Sequence, residues 1–480
     1  MLHHTETKSQ HEIHAKVYYI SDSIERGYYN STQPISDESM ISHEPLGSSL
    51  LDFAVTVALK QTAEVSPLEL MPSFAQCAVH LKLLHAINRL RRDILNSQPL
   101  DEALNIKPEI ILIQKKIYHA KELRRPDPTF AKRREAKWEL YLHLAVGRFL
   151  VWLKRMDHEM DQSDSKDAAY LELPFCPPLD VLLVWHSAML NPAWFRAYCQ
   201  VNDLQRMRRV LFPWAAIHHA IDIETWKLSL SESDMQRFQE TTLHPSDLFE
   251  YLLKPKPDSM PDLITIYEEA ESKRMYTAVR QLIETESLPP PHDAFARTAD
   301  LLREQGTQLI LNYLVDAVER QRSFVEKMVL HTWIRSPAIQ GTLTRAIERY
   351  GQFIQLMTLH PGAVLVPTLD IDLVWHTHQC SAMAYEDSMN SRAGRFINHN
   401  DMLGSGNLNA GFDKTAILYR QHFGLDYYVC LCWECQAVLS AVESLEEVEG
   451  VDMAEITNQV VNELIEYRKA EIDRRMTKAA

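Results

Sequence analysis

Glycine is scarce in this sequence, 13 of 480 residues, so positions suited to left-handed turns, bulges and sheet corners are few. Barrels and sandwiches are disfavoured, and a mainly α fold is expected. Long apolar runs are missing too: no stretch of about eighteen apolar residues occurs, so no membrane span is expected. The opening Met1-Leu2-His3-His4-Thr5-Glu6-Thr7-Lys8 lacks the basic-then-apolar pattern of a secretory leader. The expected location is cytoplasmic, with the nucleus as the alternative. The cysteine count, 7, is odd, and three of them crowd between Cys430 and Cys435, which argues against a disulfide framework and for thiols or metal ligands. Catalytic templates are also absent: there is no Gly-x-Ser-x-Gly elbow, phosphate-binding glycine loop, His-Glu-x-x-His pair or dinucleotide fingerprint.

Positive charge is in deficit. A formal net charge of −15 opposes nucleic-acid binding over the whole surface, because such binding rests largely on neutralising phosphates. One segment departs from this: residues 115–137 hold nine basic side chains (Lys115, Lys116, Lys121, Arg124, Arg125, Lys132, Arg133, Arg134, Lys137) against three acidic ones (Glu122, Asp127, Glu135). Two readings stand, a solvated helical face interrupted by Pro126 and Pro128, and a weak site for an anionic partner.

What is present is a chain too long for one core, since a single core serves roughly 250–300 residues. Residues 1–45 are polar, without a sustained apolar period, and read as a disordered arm. Apolar spacing of three and four predicts helices over Leu50–Ala63, Phe74–Leu95 and Trp138–Leu153. Two landmarks then recur in the same order. Ala145-Val146-Gly147-Arg148-Phe149 precedes Asp180-Val181-Leu182-Leu183-Val184-Trp185-His186, and Ala346-Ile347-Glu348-Arg349-Tyr350 precedes Asp370-Ile371-Asp372-Leu373-Val374-Trp375-His376. An aromatic follows each first landmark (Trp152, Phe353), a proline introduces each second one (Pro178, Pro367), and Ser73-Phe74 against Ser323-Phe324 is a fainter echo. Duplication explains the pattern. The expected fold is therefore two diverged helical repeat units packed together, with short irregular or β segments near the C-terminal cysteine cluster. The first unit is placed at 46–225, a charged linker at 226–295, the second unit at 296–440, and an acidic segment with a C-terminal helix at 441–480.

The two copies separate scaffold from chemistry. Asp180 and Asp370, Trp185 and Trp375, and His186 and His376 match, which suits buried aromatic area, a buried imidazole and an aspartate capping a helix start. Where the first copy has Leu182 and Ala188, the second has Asp372 and His378, so two apolar positions have become ionisable and require partners or solvent. On a helix Asp372 and His376 share a face, whereas His376 and His378 point about 200° apart and do not chelate one ion. Asp372, His376 and His378 are the catalytic candidates. Cys430-x-Cys432-x-x-Cys435 supplies three thiolates, and with His399, His378 or His376 as fourth ligand would form a closed zinc site. His399 is preferred, because residues 391–412 hold four glycines and four asparagines and need something to fix them. The competing reading packs Phe396, Phe412 and Tyr419 onto Trp433, with the cysteines incidental.

Ala317 to Met328, Trp333 to Pro337, Val366 to Gln379 and Tyr428 to Cys435 resemble the glycine-rich domain-containing protein family of plants and fungi. His80 to Leu84, Arg148-Phe149, Trp185-His186 and Phe212-Pro213-Trp214 are similar to its N-terminal part. Three departures are visible: no cysteine lies between Cys199 and Cys380 where a Cys-Pro-x-Cys element is usual, His399-Asn400-Asp401 replaces His-Asp-Asp, and no glycine-rich tail follows. The resemblance implies roles in growth and stress responses; the RNA binding suggested for some plant members is not carried over. The expected function is an interaction or regulatory protein with protein partners and a structural zinc site; the alternative is a metal-dependent enzyme using the Asp/His cluster of the second unit.

Overall fold

The structure, a computed structural model, describes residues 70–104, 106–108, 111–113, 123–125, 127, 129–161, 168–253, 305–399, 405–443 and 452–479. The N-terminal arm, the helix expected at Leu50–Ala63 and residues 254–304 lie outside them. In chain order the helices are α1 (Phe74–Asn96), α2 (Gln98–Ala103), α3 (Phe130–Asp161), α4 (Leu179–Met189), α5 (Pro192–Val201), α6 (Gln205–Arg209), α7 (Trp214–Ala220), α8 (Glu232–Thr242) and α9 (Leu248–Leu253). They continue with α10 (Gln305–His331), α11 (Ile339–Leu359), α12 (Leu369–Gln379), α13 (Ala382–Ala393), α14 (Ser405–Phe423), α15 (Trp433–Glu443) and α16 (Met453–Ala479). Between α2 and α3, strands β1 (Ile111–Ile113) and β2 (Leu123–Arg125) pair antiparallel, with Leu112 opposite Arg124. The fold is mainly α.

Two compact units interleave along the chain: one takes residues up to His85, Leu211–Lys227 and Ser323 onward, the other Ala86–Val210 and Leu228–Arg322. In the second of these, α3 is the central element. Its apolar spacing buries Trp138, Tyr141, Phe149 and Trp152, and each such aromatic removes enough surface from water to contribute about 4–6 kcal/mol as an upper bound. Against it lies α4, joined by a buried ion pair in which Arg148 Nε donates to Asp180 Oδ2 at 2.6 Å. Trp152 and Trp185 pack beside it, ring centres 5.1 Å apart. Arg148 also donates to the Pro245 carbonyl (2.7 Å) and lies over Phe238 of α8, so residues 226–253, expected as linker, form two short helices closed onto this pair.

The basic segment differs from the solvated face expected. Arg124 and Arg125 lie in β2, Arg133 pairs with Asp127 at 2.7 Å, and Lys137, with 1% of its surface exposed, donates to Asp101 at 2.5 Å. Arg134 shares Asp101, so three of the segment's basic side chains, Arg133, Arg134 and Lys137, are paired with aspartates of their own unit.

The other unit repeats the central arrangement with α11 and α12. Arg349 Nε donates to Asp370 Oδ2 at 2.7 Å, its Nη2 donates to the Tyr427 carbonyl at 2.8 Å, and Phe353 packs on Trp375 with ring centres 5.7 Å apart. The equivalent aspartates therefore bind arginine rather than cap their helices. Pro178 and Thr368 hold the N-cap positions, neither with a side-chain cap bond, because the guanidinium is a stronger partner for a buried carboxylate than a backbone N–H. Burial around Asp180 raises its pKa despite Arg148; at Arg349 burial pulls downward, but Asp370 and Tyr419 outweigh it and the value rises. The fainter echo has no structural counterpart, since Ser73 caps α1 through the Gln76 N–H whereas Ser323 lies inside α10.

Entry to α12 is fixed by Tyr427, whose hydroxyl donates to the Val366 carbonyl (2.7 Å) and accepts from the Thr368 N–H (3.2 Å). Part of the expected loop 391–412 is helical, because α14 begins at Ser405 and lays Phe412 and Tyr419 on Tyr427, at 5.5 and 5.0 Å between ring centres. Those rings therefore cluster on Tyr427, while Trp433 meets Arg468 of α16. Cys435, Val438 and Val442 of α15 form an apolar seam with Ile456 and Val460 of α16.

Arg148→Met should destabilise by about 3–5 kcal/mol in urea unfolding, and Arg148→Met/Asp180→Leu by less than that single change, because the first strands a buried carboxylate. A double variant weaker than the single one would reverse this reading. The sign with pH follows from Asp180: its folded pKa lies above the unfolded one, so its protonated form favours the native state and the benefit disappears as pH rises. Without Arg148 that upward shift grows, and the loss in Arg148→Met should be smaller at pH 5 than at pH 7. Tyr427→Phe strands the Thr368 N–H and should cost about 1–3 kcal/mol, read as a lower melting temperature.

Candidate metal centre

Helix α12 brings the chemistry to the surface of its unit. Thr368, the N-cap, is extended (φ −74°, ψ 163°), and Asp370 and Asp372 then fall in the first turn, where negative charge complements the helix dipole. One turn on, His376 Nε2 lies 3.3 Å from Asp372 Oδ1. His378 points elsewhere, as helical geometry requires: its Nδ1 is 3.0 Å from the Tyr350 hydroxyl, and burial followed by Arg392 lowers its pKa to about 3.

The third member comes from the loop after α13. Gly394 ends that helix in the left-handed region (φ 67°), and Arg395 ties the loop to α11 by donating to the Met357 carbonyl at 2.9 Å. A relay through the buried Tyr385 sets its depth: Trp375 Nε1 donates to the Tyr385 hydroxyl (3.0 Å), which donates to the Ile397 carbonyl (2.8 Å). Two residues later His399 stands edge-on to Trp375 and presents Nε2 at 3.3 Å from His376 Nε2 and 3.9 Å from Asp372 Oδ1. This relay, with Arg395, is what holds the described part of the loop.

Three lone-pair atoms on a triangle of these dimensions are close to what one ion needs. Ligands at about 2.0–2.2 Å from a metal stand about 3.0–3.5 Å apart, so two edges fit and the His399 edge must shorten by a few tenths of an ångström. Asp372 Oδ1 is buried and has no hydrogen-bond donor aligned on it. Burial raises the carboxyl pKa to about 7 against the opposing Lys327, although 22% of the side chain remains exposed and water there moderates the shift. Burial of this kind favours the neutral carboxyl, and a nearby positive charge would favour its ionised form. Phe324 packs edge-on against the His376 ring, 4.4 Å between centres, and shields one side.

The cysteines form a separate group. Segment 424–432 is irregular, as expected near the cluster, and α15 starts at Trp433. Gln436 Nε2 donates to the Cys430 carbonyl (2.7 Å), folding the segment back on that first turn. The three Sγ atoms lie within 4.8 Å of one another, with Cys430 and Cys432 sulfurs 3.3 Å apart, and all seven cysteines are thiols. Neighbouring thiols and burial push the Cys432 value up. The set Cys430, Cys432, Cys435 and His399 is thus not gathered: His399 joins Asp372 and His376. Sequence reasoning placed Asp372 with His376 but missed the Trp375–Tyr385–Ile397 relay, because its parts are contributed by two helices and a loop. The spacing of Trp375 and Tyr385 carried no signal for it.

Comparison with known proteins agrees with the sequence resemblance. Residues 266–388 match the family model described as glycine-rich domain-containing protein-like. Glycine-rich domain-containing protein 1 of Arabidopsis thaliana is 27% identical over 272 residues, 55% of this chain and 27% of that protein. Glycine-rich domain-containing protein 2 of the same plant is 24% identical over 264 residues, 53% of this chain and 26% of its own length. The chain thus matches about a quarter of the length of each of these relatives. No solved structure gives a significant match. Helix α12, most of α13 and the Trp375–His376 pair fall within the stretch, residues 266–388, that is similar to this family.

Proposed function

We propose that this protein is a metal-dependent enzyme in which Asp372, His376 and His399 hold one divalent transition metal with coordination positions left open. The observation that carries this reading is the convergence of one carboxylate oxygen and two imidazole nitrogens at 3.3, 3.3 and 3.9 Å. Three protein ligands are the pattern of catalytic rather than closed structural sites, and two histidines with a carboxylate on one side of an ion suit iron or zinc. The metal would polarise a bound oxygen or ligand. The chain's own groups do the rest: Lys327 beside the carboxylate favours an anionic ligand, Phe324 and Trp375 fix the two imidazoles, and His378, turned to Tyr350, supports α12 from its other side.

A second reading, an interaction or regulatory protein with a structural zinc, is supported by the three cysteines at the foot of the α15–α16 pair, where a closed ion stabilises a surface. The matching Arg–Asp and aromatic pairs support descent from one duplicated unit, with ionisable groups acquired at 372 and 378 in one copy.

Elemental analysis separates the readings. The protein should contain a transition metal that falls by one equivalent in Asp372→Asn and in His399→Ala but not in His360→Ala, a half-buried histidine outside the cluster that meets His422. In cobalt-substituted protein, added azide should change the visible spectrum of the parent and leave that of Asp372→Asn unaltered. Full metal content in both site variants would rule the centre out, and an azide-insensitive spectrum would rule out the open position.

A further inference from the structure

The cysteine group has three sulfurs and, for a closed tetrahedral ion, needs a fourth ligand that His399 does not supply. Two indole bonds indicate where it lies. Trp433, between Cys432 and Cys435, donates its Nε1–H to the His331 carbonyl at 3.0 Å. Trp333, two residues beyond His331, donates its Nε1–H to the Leu431 carbonyl at 2.9 Å, between Cys430 and Cys432. The end of α10 and the cysteine segment are therefore locked to each other in both directions.

His331 is the last residue of α10, and Thr332 adopts the left-handed region (φ 47°), an uncommon conformation for a β-branched residue, which turns the chain so that Trp333 reaches back. The His331 ring stacks on Trp333 at 5.2 Å and is near enough to Cys430 to feel its charge. Of the other ligand-type groups at this segment, Glu434 is held by Arg468 at 2.7 Å, and Gln436 is committed to the Cys430 carbonyl and to Arg345.

We propose that His331 is the fourth ligand of a closed structural zinc site whose other three ligands are Cys430, Cys432 and Cys435. The three thiols release their protons to solvent as the ion binds, and the imidazole swings from Trp333 to the sulfurs. Three thiolates and one histidine make a standard closed set, and the ion ties the end of α10 to the start of α15. The inference rests on the zinc reading of the cysteines and is independent of the Asp372 centre.

The test uses the full chain carrying Asp372→Asn, so that metal at the other centre is not counted. Zinc is measured by competition with a chromophoric chelator. One equivalent should bind, Cys432→Ser should lose it, His331→Ala should weaken it at least tenfold, and His331→Cys should restore binding to within about threefold of the parent through a fourth thiolate. If Cys432→Ser retains zinc, or no zinc binds at all, the cysteine site itself is wrong. If Cys432→Ser loses zinc while His331→Ala binds as tightly as the parent, the site stands and His331 is not its ligand. Should His331→Ala fail to fold, the cobalt-substituted His331→Cys protein decides: stronger sulfur-to-cobalt charge-transfer absorption than the parent, from a fourth thiolate, supports the assignment, and an absorption equal to the parent's overturns it.

Discussion

A guanidinium and a carboxylate buried together between a long helix and a short one are the constraint on which the rest of the structure depends. Arg148 with Asp180 and Arg349 with Asp370 each leave most of their surface inaccessible, and neither charge is tolerable there without the other. Because an Arg–carboxylate pair has strict geometry, it fixes rotation and register of α4 on α3 and of α12 on α11 in a way that apolar packing alone does not. The spare guanidinium donors then recruit carbonyls from distant segments, Pro245 in one unit and Tyr427 in the other. One side chain thus organises a helix pair and the chain that closes over it.

The same scaffold yields different surfaces. In one unit α4 is buried from Asp180 to Met189, with Leu182 and Ala188 fully inaccessible. In the other, position 372 is an aspartate that retains partial exposure, and the loop after α13 lays His399 beside it. Arg349 and Tyr427 fix α12 and with it Asp372 and His376, the preorganisation that the proposed metal centre would need. The tryptophan of the shared motif takes on a second task here. Trp375 fills the core as Trp185 does, and its indole N–H begins the relay that positions the histidine loop.

Much of this was legible. Scarce glycine and apolar spacing indicated helices, and α1 and α3 cover Phe74–Leu95 and Trp138–Leu153 while α16 forms the expected C-terminal helix. Comparison of the two motifs marked Asp372 and His378 as chemically distinct, and helical periodicity alone assigned His376 to Asp372 and sent His378 elsewhere. What periodicity could not supply was the partner across the gap. His399 was assigned to the cysteines because composition made its loop look unsupported; the support is a hydrogen-bond chain whose members, Trp375, Tyr385 and Ile397, have no sequence spacing that identifies them. The aspartates of the repeated motif were expected to cap helices, since proximity to proline is a local signal, whereas Arg148 and Arg349 lie 32 and 21 residues away.

The sequence by itself determined the helical class, the two matching motifs and the residue types able to bind a metal, because these follow from short-range spacing and composition. Tertiary structure decided which ligands meet. Asp372 and His376 are joined by one helical turn, but His399 reaches them, and Trp433 reaches the end of α10, only through contacts between segments separated by 23 and about 100 residues. Such pairings are chosen by which buried polar groups must be satisfied once the helices pack, and that is a property of the folded chain rather than of any window of it.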